Sequence, residues 1–209
     1  MRRPVLALFA VASLGLAACS TADQGRAVPQ GGGVDTSTAT TIARSETARG
    51  EAPPITGPEL DLRRYVDKPC ELLTSEQEAE LGLRPGVPGE SVLKAPKCDW
   101  KPVDSSDGTR FILSISTHLE DGLNSIYRNK NNYDYFQPAE AIEGYPAVHV
   151  NITSTVDRGD CTVMVGVMKD LVFDVGVFVN DQNSPDYKNP CAVADKFAEL
   201  VVQNLKAGN

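Results

Sequence analysis

The chain has 209 residues, with 20 Lys and Arg against 28 Asp and Glu, a formal net charge of −8 at pH 7, and 41% hydrophobic residues. That length holds one ordinary domain plus tails. The acidic balance argues against a nucleic-acid partner, which needs a basic face, and the chain is too polar to cross a membrane repeatedly.

The first residues read as an address. Arg2 and Arg3 precede residues 5–18, which are all apolar or small, and Cys19 follows. A charged start, a short apolar stretch and small residues before a cleavage point make an export signal. The stretch falls short of the roughly 20 residues a bilayer span needs. Leu16-Ala17-Ala18-Cys19 resembles the lipobox of bacterial lipoproteins. That resemblance implies acylation of the Cys19 thiol, removal of the signal peptide 1–18, and Cys19 as the first residue of the mature chain. The arginine pair followed by Val5 and Leu6 also fits the twin-arginine route, so the general and twin-arginine routes both stay open.

Residues 19–58 read as the lipidated cysteine and a tether. They contain Gly31-Gly32-Gly33, many Thr, Ser and Ala, and Pro29, Pro53, Pro54 and Pro58. Such a segment buries too little to offset its chain entropy and is expected to be disordered. As a flexible coil it would hold the domain on the order of 35 Å from its anchor.

One domain is expected over residues 59–209. It carries 15 basic and 24 acidic residues, which disfavours docking on anionic headgroups through the domain itself. The expected membrane contact is therefore the lipid on Cys19, which holds stably when multiply acylated.

Within the domain, residues 69–73 read as a helical turn. Thr74 caps a second helical piece, with Gln77 completing a capping box and Gly82 as its left-handed stop. Residues 98–103 form a short strand. Residues 111–118 alternate as a half-buried strand. Residues 121–130 form a short helix burying Leu123, Ile126 and Tyr127. Residues 145–152 form a strand with Val148 and Val150 opposite His149. Residues 161–168 and 171–179 are two strands about a Lys169-Asp170 turn, and their Val content places them mid-sheet. The last helix opens at Asn189-Pro190 and buries one stripe against a sheet. The order is helix, two strands, helix, three strands, helix. Tight hairpins make the sheet mostly antiparallel and the fold class α+β.

Setting Cys19 aside leaves Cys70, Cys98, Cys161 and Cys191. An exported chain meets an oxidising environment, so the even set reads as two disulfides, with three possible pairings. Each half of the domain carries one Pro-Cys at a helix start and one Cys at a strand start. Pairing within each half, Cys70–Cys98 and Cys161–Cys191, staples a helix end to a strand. No pair has the Cys-x-x-Cys spacing of a metal site, and no metal or cofactor is expected.

The lipobox, Pro69-Cys70-Glu71-Leu72-Leu73-Thr74, Leu81-Gly82-Leu83, Cys98-Asp99-Trp100, Gly144-Tyr145-Pro146-Ala147-Val148 and Pro190-Cys191 together resemble the actinobacterial lipoproteins catalogued as domain of unknown function 3558. The resemblance spans nearly the whole chain after residue 60. It implies a lipoprotein on the outer face of the cell membrane and supplies no activity or catalytic residues. The element order also resembles, as a layout, small α/β/α sandwiches, which carries no function.

No nucleophile elbow, zinc-protease helix or phosphate-cradling loop is present. His118 and His149 are the only side chains that titrate near neutrality unperturbed, and alternation puts both on the more polar faces of their strands. Were those strands paired, the two imidazoles would lie together near Ser116 or Glu120 as an acid–base or weak metal site. Asp174 stands out in a strand expected to be central, where a carboxylate is costly unless partnered. It reads either as a structural group bonded to a backbone N–H or a Lys, or as the polar group of a small cavity opposite Gly176. Exposed members of Tyr133, Tyr135 and Phe136 would make a contact patch or carbohydrate platform. The functional expectation is a non-enzymatic binding or accessory module for an envelope protein or small amphiphile. The alternatives are a lipid carrier with an internal pocket and an envelope enzyme using His118 or His149.

Overall fold

The computed structural model describes residues 50–104 and 108–208. The signal peptide, Cys19 and most of the expected tether lie outside these residues. The seven strands among them are β1 Val87–Glu90, β2 Pro96–Trp100, β3 Thr109–Ser116, β4 Tyr135–Pro138, β5 Ala147–Asn151, β6 Asp160–Gly166 and β7 Val172–Val179. They form one sheet in the order β1-β2-β3-β7-β6-β5-β4, antiparallel at every pairing. The helices are α1 Ser75–Glu80, α2 Leu123–Arg128 and α3 Pro190–Gly208, joined by single 3-10 turns such as Leu62–Tyr65 and Pro69–Leu72. The fold is α+β. No helix among the described residues is long and apolar enough to cross a membrane.

The expected element order needs correction. β1 and β4, one at each edge of the sheet, were not read from the sequence. All four residues of β1 are exposed, and β4 is half-buried at its start and exposed at its end, so neither shows the alternation that marks a buried face. Pro88 and Pro138 sit in them, which an edge strand tolerates because one side of its ladder faces solvent. The Val-rich pair is central, as its composition requires. β7 runs between β3 and β6.

Strand alternation divides the side chains between two faces. Phe111, Leu113 and Ile115 of β3, Val163 and Val165 of β6, and Phe173, Val175 and Val177 of β7 form the main core. α3 packs across β6 and β7 on this face and contributes Phe197, Val201 and Leu205. Phe197 stacks on Phe111 at 4.5 Å between ring centroids. The opposite face carries a smaller core of Leu123, Ile126, Val148, Val150, Met164 and Val172, covered by α2. An α/β/α sandwich would cover both faces fully. Among the described residues, the helix on this second face is the six-residue α2.

The disulfides join Cys70 to Cys98 and Cys161 to Cys191, with Cα atoms 5.1 Å and 5.0 Å apart. The first ties the Pro69–Leu72 turn to β2, and the second ties the start of α3 to the start of β6. The capping box of α1 is present, with the Thr74 N–H donating to Gln77 Oε1 at 2.9 Å and the Gln77 N–H to Thr74 Oγ1 at 3.3 Å. Gly82 ends that segment with φ at 65°.

Glu78 has a structural role that no local pattern signals. Its Oε1 accepts from Trp100 Nε1 at 2.7 Å and from the Gly86 N–H at 3.0 Å. Trp100 is fully buried, and Gly86 lies so close that an added Cβ would stand 2.6 Å from Nε1. Replacing Glu78 with Ala strands two donors and is expected to cost about 1–3 kcal/mol. Urea unfolding followed by the fluorescence of Trp100, the chain's one tryptophan, measures this. An unchanged midpoint would show that Glu78 does not support the ring.

Residues 50–58 differ from the expected end of a disordered tether. The Ala52 N–H donates to Asn124 Oδ1 at 2.9 Å, Tyr145 Oη donates to the Pro58 carbonyl at 2.7 Å, and Ile55 packs on the main core. The composition reading saw prolines and few apolar residues. It missed that two side chains far along the chain supply partners for this backbone. Residues 50–58 are thus tied to the domain upstream of the expected boundary at Glu59.

Candidate functional site

The uncovered part of the second face holds a cavity of about 360 Å³. Its floor is the sheet. Ser114 and Ser116 of β3 lie beside Asp174 of β7, with Thr162 and Met164 of β6 next and Val150 of β5 beyond. Period-two geometry brings these side chains to one face, opposite the main core. Ile126 of α2, Leu119 and Tyr133 close one side. The β1–β2 hairpin loop closes another. That loop is fixed by bonds to Ser91: its N–H donates to the Ala95 carbonyl at 2.8 Å, and its carbonyl accepts from the Lys94 N–H at 3.0 Å. Lys94 takes a left-handed φ of 62° in the turn. The mouth is ringed by aliphatic side chains that face solvent. Val92 is 99% exposed, Leu93 67% and Ile152 75%.

Asp174 is the one acidic side chain in the lining. It keeps part of its surface open to the cavity and is enclosed by protein elsewhere. Burial pushes its carboxyl up to about 7, against partial relief from the Ser114 and Ser116 hydroxyls. Ser116 Oγ donates to Asp174 Oδ1 at 3.4 Å. The structural reading of Asp174 required a backbone N–H or a Lys, and the bonded partner is instead a serine. The cavity reading placed Gly176 opposite, whereas the lining contains Asp174 and not Gly176. Burial, and the Asp174 carboxylate nearby, also raise the Tyr133 phenol above its usual value.

The two histidines do not come together. β7 and β6 separate β3 from β5, so the strands leading to His118 and carrying His149 are not neighbours. His149 lies on the α3 face, with Nε2 2.7 Å from Asp195 Oδ1. His118 lines the cavity on the other face. The condition for their proximity, pairing of the two strands, is not met, because alternation fixes the face within a strand but not the order of strands. The aromatic patch is also divided. Tyr133 and Phe136 pack on the second core, with Phe136 edge-on to Tyr127 at 5.1 Å, while Tyr135 Oη lies near Cys191 Sγ at 4.0 Å.

The site holds an acid–hydroxyl pair without the surroundings of an acyl-transfer centre. Such a centre needs free N–H donors aimed at a developing oxyanion. Ser114 and Ser116 lie inside the sheet, in register with Asp174 and Val172 of β7. No group of three or more His, Cys, Asp or Glu among the described residues is placed to hold a metal. A second groove, of about 580 Å³, runs along residues 50–57 and carries both signs of charge, including Glu51, Arg128 and Lys169. The arrangement over Asp174 suits binding: an apolar lining with a few convergent polar groups.

No curated protein and no solved structure matches the chain. A family described as protein of unknown function (DUF3558) matches residues 14–204. That match takes in the whole sheet, both disulfides and the cavity over Asp174, and the chain belongs to this family.

Proposed function

We propose that the protein is a non-enzymatic binding module. It holds a small amphiphile in the cavity over Asp174 while a lipid on Cys19 tethers it to the outer face of the cell membrane. The observation that carries the reading is a desolvated carboxylate at the floor of a cavity with an exposed aliphatic mouth. A folded domain gains nothing in stability from such a carboxylate, and groups of this kind collect at binding and catalytic sites. The separation of His118 from His149 and the mid-sheet setting of the serines favour binding over turnover. A lipid carrier would use the same cavity and differ only in handing its ligand on. The export segment and Leu16-Ala17-Ala18-Cys19 support the anchor.

One preparation tests both parts. A Cys19→Ala protein exported by its own signal is expected in the soluble fraction, carrying a non-covalent adduct in native mass spectrometry. Sedimentation of this variant with membranes in high salt would overturn the anchor. Bare protein from every preparation would overturn the binding reading.

A further inference from the structure

The proposed ligand has two ends, and the lining distinguishes them. The closed end holds three oxygen-bearing side chains together: the Asp174 carboxyl, Ser114 and Ser116. Met164 and Val150 line the floor beyond Asp174 on the β6 and β5 side, Ile126 stands at one wall, and Leu93 and Ile152 stand at the exposed rim. No Lys or Arg is in the lining, and the one basic group that is, His118, belongs to the turn after β3. Arg110, on the same sheet, is bound in bidentate fashion by Asp99 and rests 5.8 Å over the Phe178 ring. Asp99 in turn is held below the usual carboxylate range by that guanidinium hydrogen bond. Asp99 of β2 is thus paired with a cation, whereas Asp174 of β7 faces a cavity with hydroxyls beside it.

We infer, resting on the binding reading above, that the ligand's head is a primary ammonium seated on Asp174, Ser114 and Ser116, with one aliphatic chain running to the mouth. An ammonium has three donors and no acceptor, and three acceptor groups converge at the closed end. A carboxylate or phosphate head would meet the acid with no Lys or Arg in the lining to offset it. Its own charge would then be desolvated without a partner. Volume limits the rest of the ligand. At about 30 Å³ per non-hydrogen atom the cavity takes roughly a dozen atoms, so a single chain fits and a two-chain phospholipid does not.

Decyl compounds with three head groups test this on the soluble Cys19→Ala protein by calorimetry at pH 8. Decylammonium is expected to bind about 10- to 100-fold more tightly than 1-decanol, the usual worth of a hydrogen bond to a charged group, and decanoate is expected to bind weakest. Asp174→Asn should bring decylammonium to the level of 1-decanol and leave 1-decanol within about twofold, since that ligand uses no charge. Ser114→Ala with Ser116→Ala is a second variant that keeps the acid, and it should weaken the ammonium while preserving its order over decanoate. Affinity for decylammonium should rise as pH passes through about 7, with 1-decanol flat. The other titratable groups that face Asp174 are Tyr133, from the loop after α2, and His118, from the turn after β3; β6 presents only Thr162 and Met164, and the hairpin presents Ser91 and aliphatic groups. Equal binding of all three heads, or an ammonium preference that survives Asp174→Asn, overturns the head-group assignment and leaves the cavity as a binding site. Failure of every decyl compound to bind overturns the binding reading itself.

Discussion

Replacing Cys161 and Cys191 with Ser is expected to lower the stability of the domain by about 3–4 kcal/mol, the chain-entropy cost of releasing a loop of this length. The bridged residues are 30 apart in sequence, and the other pair is 28 apart, so each bridge alone should cost much the same. The Cys161–Cys191 bridge has the wider structural consequence. It fixes the first turn of α3, whose Phe197, Val201 and Leu205 cover the main core, to the start of a central strand. Removing both bridges takes about 7 kcal/mol from a total that for single domains is about 5–15 kcal/mol. The four-Ser variant should therefore populate unfolded chain at 37 °C. Urea unfolding watched by circular dichroism and by Trp100 fluorescence gives both numbers. A four-Ser variant with an unchanged midpoint would show that the hydrophobic core alone sustains the fold.

Asp174→Asn is expected to act in the opposite direction. The Asp174 carboxyl sits at about 7 in the fold and near 3.8 when the chain is unfolded. Between those values the folded state keeps a proton that the unfolded state releases. Stability therefore falls as pH rises through this window, and the loss is complete above about 7. Asn carries no such proton. The variant should match the parent near pH 4 and exceed it at pH 8 by up to about 4 kcal/mol, or roughly 10 °C in Tm for a domain of this size. Melting curves of the two proteins across pH 4–8 check this. A parallel pair of curves, with no divergence above pH 5, would mean that Asp174 is solvated in the fold. A residue whose loss stabilises a protein yet abolishes ligand selectivity is the expected signature of a site kept for function.

Much of the frame was legible because it rests on local rules. The capping box at Thr74 and Gln77 is a contact between residues three apart. The Val-rich runs of β6 and β7 could only be buried on both faces, and they are central. The four cysteines were placed by what each one opens, and the pairs follow that placement. What escaped is long-range or irregular. β1 and β4 pair on one side only, so their composition carries no period. Residues 50–58 are held by Asn124 and Tyr145, whose proximity no local pattern encodes.

The site shows the same division. Asp174 could be singled out because a carboxylate among Val and Phe violates its surroundings. Its cavity could not be drawn. The floor needs the order β3-β7-β6, and the walls come from the hairpin at Ser91 and the turn near Leu119, which have no periodicity at all. The face of His118 and of His149 could be read from alternation, but whether their strands are neighbours could not, since facing is local and strand neighbourhood is not.

Each bridge joins cysteines that are consecutive in the domain, first to second and third to fourth. A polypeptide threaded through a membrane amino end first delivers Cys70 and Cys98 together, before Cys161 has emerged. Oxidation in order of emergence then yields the native pairs directly, and an unselective thiol oxidant is sufficient. A shuffling catalyst has no wrong partner to undo. The pairing of β3 with β7 needs both halves of the domain. Connectivity of this kind would let a chain exported by threading close its first bridge before its second half is present.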